Sequence, residues 1–222
     1  MPVILDNFHH IAAEAADKKV TLVVVTKTKP ISDVEELIAL GHKDFGENYV
    51  QELVDKEAAL PKDIHWHFIG HLQSNKVKFI APFVYMIHGV DSLKLLQEIN
   101  KQAAKCNRII PCLLQIHIAQ EETKFGFDFV ELKEVLAELE LHPLTNIHIK
   151  GLMGMASFSD DQTVIKKEFE YLSSLYLKHK EKQGWDTLSM GMSSDYKLAI
   201  DYGSTLIRVG SLILHGRTTV VH

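Results

Sequence analysis

Eight short apolar runs recur along the chain, and the stretches between most of them carry apolar residues three and four apart. The runs cover residues 21–27, 44–47, 64–69, 83–88, 111–119, 146–156, 187–191 and 205–214. The first holds Leu22, Val23, Val24 and Val25 in succession. An unbroken apolar run predicts a strand buried on both faces. Between runs, Leu95, Leu96, Ile99 and Ala103 fall on one side of a helix, as do Leu132, Val135, Leu136 and Leu139, and Ile165, Phe169, Leu172 and Tyr176. Ser32 and Glu35 have capping-box spacing at the start of another helix, with Gly41 as its C-cap.

Strands alternating with helices argue for a parallel sheet with helical crossovers. Eight such units in 222 residues are the size of a single closed (β/α)8 TIM-type barrel, here spanning 1–222. A doubly wound open sheet would show the same periodicity. The barrel makes the sharper statement, because its functional residues belong at the C-terminal ends of the strands and just beyond.

Composition removes several classes. The net charge is −5, from 24 Lys+Arg against 29 Asp+Glu, with no basic run or tail that would mark a nucleic-acid footprint. Asp6, Glu14 and Asp17 interrupt the first twenty residues, unlike a signal peptide. No apolar stretch is long enough to span a membrane. The two cysteines, Cys106 and Cys112, form no Cys-x-x-Cys pair, so a reducing, cytoplasmic setting without a disulfide is expected. There is no internal repeat and no Pro/Gly/Ser-rich linker.

Polar residues gather at the strand ends. Lys27 closes the first run, where Val23, Val25, Lys27 and Lys29 share a face in an extended strand. An amine after a valine run is expected to be partly desolvated, which favours the neutral nucleophilic form; a lysine snorkelling from a strand end is the plainer alternative. Asn48 and Gln51 follow the second run. His65 and His67 share one face of the third, a conceivable metal pair with no third ligand in view. Lys124 follows the fifth. Ser193 and Ser194 follow the seventh, and Arg208-Val209-Gly210-Ser211 ends the eighth. Loops after strands seven and eight are the usual phosphate site of such barrels, and Gly210 allows close backbone approach.

Taken together these segments resemble the pyridoxal 5′-phosphate (PLP) homeostasis protein family of the YggS/PROSC type. The matches are Thr-Lys-Thr-Lys-Pro at 26–30, Phe-Gly-Glu-Asn-Tyr-Val-Gln-Glu at 45–52, Trp-His-Phe-Ile-Gly-His-Leu-Gln-Ser-Asn-Lys at 66–76, Lys-Gly-Leu-Met at 150–153, Leu-Ser-Met-Gly-Met-Ser-Ser-Asp at 188–195, and Ser-Thr-Leu-Ile-Arg-Val-Gly-Ser at 204–211. They run through nearly the whole chain, with Thr26 standing where members commonly carry serine or another small residue. The resemblance implies a fold-type III PLP barrel like the N-terminal domain of alanine racemase. It implies Lys27 as the Schiff-base lysine, with Asn48, His67 and Met153 lining the cofactor pocket. Ser193, Ser194, Gly210 and Ser211 are the implied phosphate cup. Arg208 is the implied partner of the pyridine nitrogen, and Lys124 a secondary PLP site.

The same resemblance implies a carrier rather than a catalyst. PLP draws electrons best when its ring nitrogen is protonated, and a cationic Arg208 beside it disfavours that. Racemases of this fold tolerate such an arginine but add a β-rich domain bearing a second base, for which no room is expected after the eighth strand. The expectation is therefore a monomer that binds and releases PLP for apo PLP-dependent enzymes. A monomeric racemase-like enzyme and a phosphate-sugar barrel enzyme are the alternatives.

Overall fold

A computed structural model describes residues 3–120 and 125–215. Eight parallel strands pair in chain order and close on themselves, β8 lying against β1, so the open-sheet alternative is ruled out. The strands are β1 (Thr21–Val25), β2 (Asp44–Glu47), β3 (His65–Phe68), β4 (Met86–Val90), β5 (Ile110–Ile116), β6 (Ile147–Gly154), β7 (Thr187–Ser189) and β8 (Leu206–Val209). The helices are α1 (Leu5–Asp17), α2 (Ile31–Ala39), α3 (Val50–Ala59), α4 (Val77–Ile80), α5 (Leu93–Lys105), α6 (Phe129–Leu141), α7 (Gln162–Gln183) and α8 (Tyr196–Asp201). Among the described residues no helix is long and apolar enough to cross a membrane.

The helical periodicities convert directly into packing. Leu95, Leu96, Ile99 and Ala103 of α5 are buried, as are Ile165, Phe169, Leu172 and Tyr176 of α7. Each Leu, Ile or Phe among them contributes roughly 1.5–3 kcal/mol by leaving water. On α6, Leu132, Val135 and Leu136 are buried, and Leu139 packs partly buried against the same core.

Boundaries depart from the pattern where apolar residues serve loops. β1 stops at Val25 because Lys29 N–H turns back to the Thr26 carbonyl and Thr28 is left-handed, φ 61°. Lys29 therefore does not continue the face of Val23 and Val25. Val84 belongs to the turn after α4, bonding the Ile80 carbonyl at 2.8 Å, and β4 begins only at Met86. After β8 the chain bends at Gly210, whose carbonyl accepts from Ile213 and Leu214 at 2.9 Å each. The capping box expected at Ser32 and Glu35 does not form. Pro30 takes the N-cap with ψ 159°, placing Ser32 inside the first turn. A capping box does form at α6, where Asp128 accepts from Val130 and Glu131 N–H and Glu131 accepts from Asp128 N–H. Gly41 follows α2 at φ 86°, as its composition predicts.

The outer faces of the strands are apolar and meet the helices. The barrel interior is mixed: His67, His88, Gln115, Ser189 and Arg208 are buried there beside Met86, Leu113 and Met153.

Candidate functional site

A cavity of about 520 Å³ opens at the C-terminal ends of the strands. Its wall brings together Lys27, Asn48, Ser193, Ser194, Arg208, Gly210 and Ser211 from four separate segments. Val25, Ile69, Met155 and Leu212 supply apolar surface.

Lys27 projects from the turn after β1 and is exposed rather than desolvated, because the strand ends two residues earlier. Its backbone is held from below. Lys56, buried on α3, donates to the Thr26 carbonyl, to Glu47 and to Glu52, each at 2.7 Å. Thr26 Oγ1 donates to Glu47 at 2.6 Å, and Glu52 accepts from Thr28 N–H at 2.7 Å. Both flanks of Lys27 are thereby fixed to one ion cluster. Burial pushes the Glu47 carboxyl up to about 7, against the opposing pull of Lys56 and Thr26. The cluster went unnoticed in the sequence. Its signal was Lys56, a cation three residues after the buried Leu53 on the same helix face.

Asn48 follows β2, and its Oδ1 is buried without a hydrogen-bond partner. Gly70 after β3 packs onto it so closely that a Cβ would lie 2.4 Å from the Asn48 carbonyl oxygen. The loops after β7 and β8 are tied by Gly210 N–H donating to Ser193 Oγ at 3.2 Å. Gly191 enters the first of these loops at φ 94°, where a side chain would be strained. Ser194 and Ser211 are exposed at the rim.

Arg208 rises from β8 with its guanidinium fully enclosed. It donates to the Ser189 carbonyl at 3.0 Å, to Ser189 Oγ, and to the Gly154 carbonyl at 3.1 Å. A guanidinium has five N–H groups, so two are left without an acceptor among the described residues. Burial lowers its pKa to about 10, a loss that Asp195 partly offsets, and it stays cationic at neutral pH.

Two expected residues lie elsewhere. His67 and Met153 do not line this cavity. Met153 is packed against Met86 and Leu113 in the barrel interior. His67 reaches a second cavity of about 460 Å³ at the N-terminal strand ends, with Asp44, His65, Lys150 and Asp186. Residues two positions on share a strand face, and these later residues, Ile69 and Met155, reach the upper wall. His65 and His67 gain a shared partner in Asp44, 3.1 Å from each. Even so, among the described residues no group of three or more His, Cys, Asp or Glu is arranged to hold a metal ion. Lys124 lies outside the described residues.

The family model described as the alanine racemase N-terminal domain matches residues 3–217, which places this closed parallel barrel in that class. The chain is 34% identical over 222 residues to the pyridoxal phosphate homeostasis protein of Pasteurella multocida, covering 96% of this chain and 94% of that relative. PipY of Synechococcus elongatus, solved without PLP, matches with TM-score 0.87 and 31% identity over 94% of this chain and 98% of that one. PipY with PLP bound matches with TM-score 0.79 and 33% identity, covering 87% and 92%. Alanine racemase of Streptomyces lavendulae shares the fold, with TM-score 0.76 at 14% identity over 93% of this chain and 55% of the racemase. The chain belongs to the pyridoxal phosphate homeostasis protein family.

Proposed function

We propose that this chain holds PLP in the upper cavity through Lys27 and acts as a carrier in PLP homeostasis, lending the cofactor to apoenzymes rather than running a reaction of its own. The observation that carries this reading is one cavity with a lysine amine on one wall and hydroxyl-bearing loops after β7 and β8 on another. PLP supplies an aldehyde that an amine can hold covalently and reversibly.

The wall fits such a group. Asn48 Oδ1 is a buried acceptor lacking a donor, and a ligand hydroxyl would satisfy it. The hydroxyls of Ser193, Ser194 and Ser211 offer donors for a phosphate dianion. Val25, Ile69, Met155 and Leu212 cover the faces of a planar ring. Arg208 offers two N–H groups, and its charge works against a protonated ring nitrogen nearby. Lys27 and Arg208 are the only titratable side chains of the described wall. Abstracting and returning a proton on opposite faces of a substrate needs a second base, and a buried guanidinium is a poor one. The apolar and hydroxyl groups can bind and orient, which is what a carrier requires.

Borohydride reduction of the PLP-soaked protein, followed by peptide mass mapping, tests this reading. A pyridoxyl adduct is expected on the Lys27 peptide and should be missing in Lys27→Ala. A protein that stays colourless in excess PLP, with Lys27 unmodified, defeats it. Rapid loss of α-deuterium from free amino acids would replace the carrier with a racemase-like enzyme.

A further inference from the structure

A continuous hydrogen-bonded chain crosses the barrel interior from one mouth to the other. Asp44 Oδ1 in the lower cavity lies 3.1 Å from His67 Nε2. His67 Nδ1 lies 2.9 Å from His88 Nε2, and His88 Nδ1 lies 3.1 Å from Ser189 Oγ. Ser189 Oγ takes a hydrogen bond from Arg208, the cation in the wall of the upper cavity. Strands β2, β3, β4, β7 and β8 each contribute one member. His67 and His88 are 1% and 0% exposed, so both rings are shielded from bulk water.

The two ends set the direction. A guanidinium can only donate and a carboxylate can only accept. Ser189 Oγ therefore accepts from Arg208 and turns its own proton to His88 Nδ1. His88 then carries its hydrogen on Nε2 and donates to His67 Nδ1. His67 in turn carries its hydrogen on Nε2 and donates to Asp44. Both rings must be neutral for this order, and burial drives both imidazoles below their usual pKa, His88 furthest. Burial would raise Asp44, but the imidazoles of His67 and His65 outweigh it and keep the carboxylate ionised. Three other side chains touch Asp44 or His67. His65 bonds the same Asp44 oxygen, His42 bonds the Asp44 carbonyl at 2.8 Å, and the Tyr85 ring tilts against His67.

We propose that Asp44, His67, His88 and Ser189 are positioning residues for Arg208: a one-way chain of donors that locks the guanidinium's orientation and ties the cofactor cavity to a carboxylate at the opposite mouth of the barrel. For its binding consequence this rests on PLP occupying the upper cavity; the direction of the chain does not. Ser189 alone could be replaced by any small acceptor for Arg208. Only the two histidines in this tautomeric order make the lower carboxylate felt at the upper wall.

Two measurements test it. Two-bond ¹H–¹⁵N correlation of the ligand-free protein near neutral pH reads the tautomers directly. Both His67 and His88 are expected as neutral Nε2–H rings, and an Nδ1–H tautomer or an imidazolium at either overturns the chain. PLP affinity is then compared by absorbance titration. Ser189→Ala is expected to bind PLP about tenfold more weakly, and Asp44→Asn, which touches no part of the upper cavity, about threefold more weakly. Lys150→Ala, in the same lower mouth but outside the chain, should stay within about twofold of wild type. Equal affinity of Asp44→Asn and Lys150→Ala would overturn the positioning role. Wild-type protein that binds no PLP would instead sink the cofactor reading, leaving the tautomers to judge the chain.

Discussion

The two mouths of this barrel are similar in size, about 520 Å³ above and 460 Å³ below, and opposite in the state of their polar groups. Below, polar groups are already matched: Asp44 is hydrogen-bonded by His65 and His67, and Lys150 pairs with Asp186. Above, a buried amide oxygen has no donor and a buried guanidinium keeps two N–H groups free of protein acceptors. Volume does not distinguish a site from a dent. Unspent hydrogen-bonding capacity in a desolvated wall does, because it is costly unless something arrives to use it.

The largest test of this contrast concerns the support beneath Lys27. Lys56→Met leaves Glu47 buried beside a second carboxylate without its cation, and about 3–5 kcal/mol of stability should be lost by denaturant unfolding. Lys56→Met combined with Glu47→Gln should recover much of that loss, and simple additivity would show that the cluster is not one unit. Next is Gly70→Ala. A Cβ pressed onto the Asn48 backbone should cost about 1–3 kcal/mol and weaken PLP binding together with stability. The pH dependence of unfolding separates the regions further. Glu47 has its folded-state pKa raised from 4.5 to about 7, so its contribution is full below pH 4.5 and lost as pH climbs through 7. The buried His67 and His88 are shifted downward from 6.5, so theirs is full above that value and lost on acidification. Glu47→Gln should therefore remove a decline in stability between about pH 5 and 7. If the slope survives, the assignment to Glu47 is wrong. Smallest of all, Lys150→Ala should change stability by no more than about 0.5 kcal/mol, since its bridge to Asp186 is partly exposed.

Much of the architecture was legible in advance because strand burial and helix faces are local properties. Leu22 to Val25 reads as a strand wherever it sits, and Ile99 or Phe169 reads as inward-facing from spacing alone. Boundaries failed where apolar residues pack in turns, as Val84 and Ile213 do. The site was legible to the extent that strand ends are: Lys27, Asn48, Ser193 and Arg208 do converge. What could not be read is height within the barrel. His67 pairs with Gly46 and Met86 through a register that no single strand encodes, and that register decides which mouth a side chain serves. For the same reason the partnership of Asp44 with His67, and of His88 with Ser189, had no sequence signature.

The seam between β1 and β8 joins Thr21 to Leu206 and Val24 to Val209, and the upper cavity straddles it. Lys27 leaves the ribosome early, whereas the loops opposite it are synthesised more than 160 residues later. A nascent chain therefore carries the amine long before it owns a pocket, and cofactor capture has to wait for the last staves to lock. If PLP is held at Lys27 as proposed, its uptake during refolding is a clock for barrel closure, and it should start only after the outer helices have gained their ellipticity.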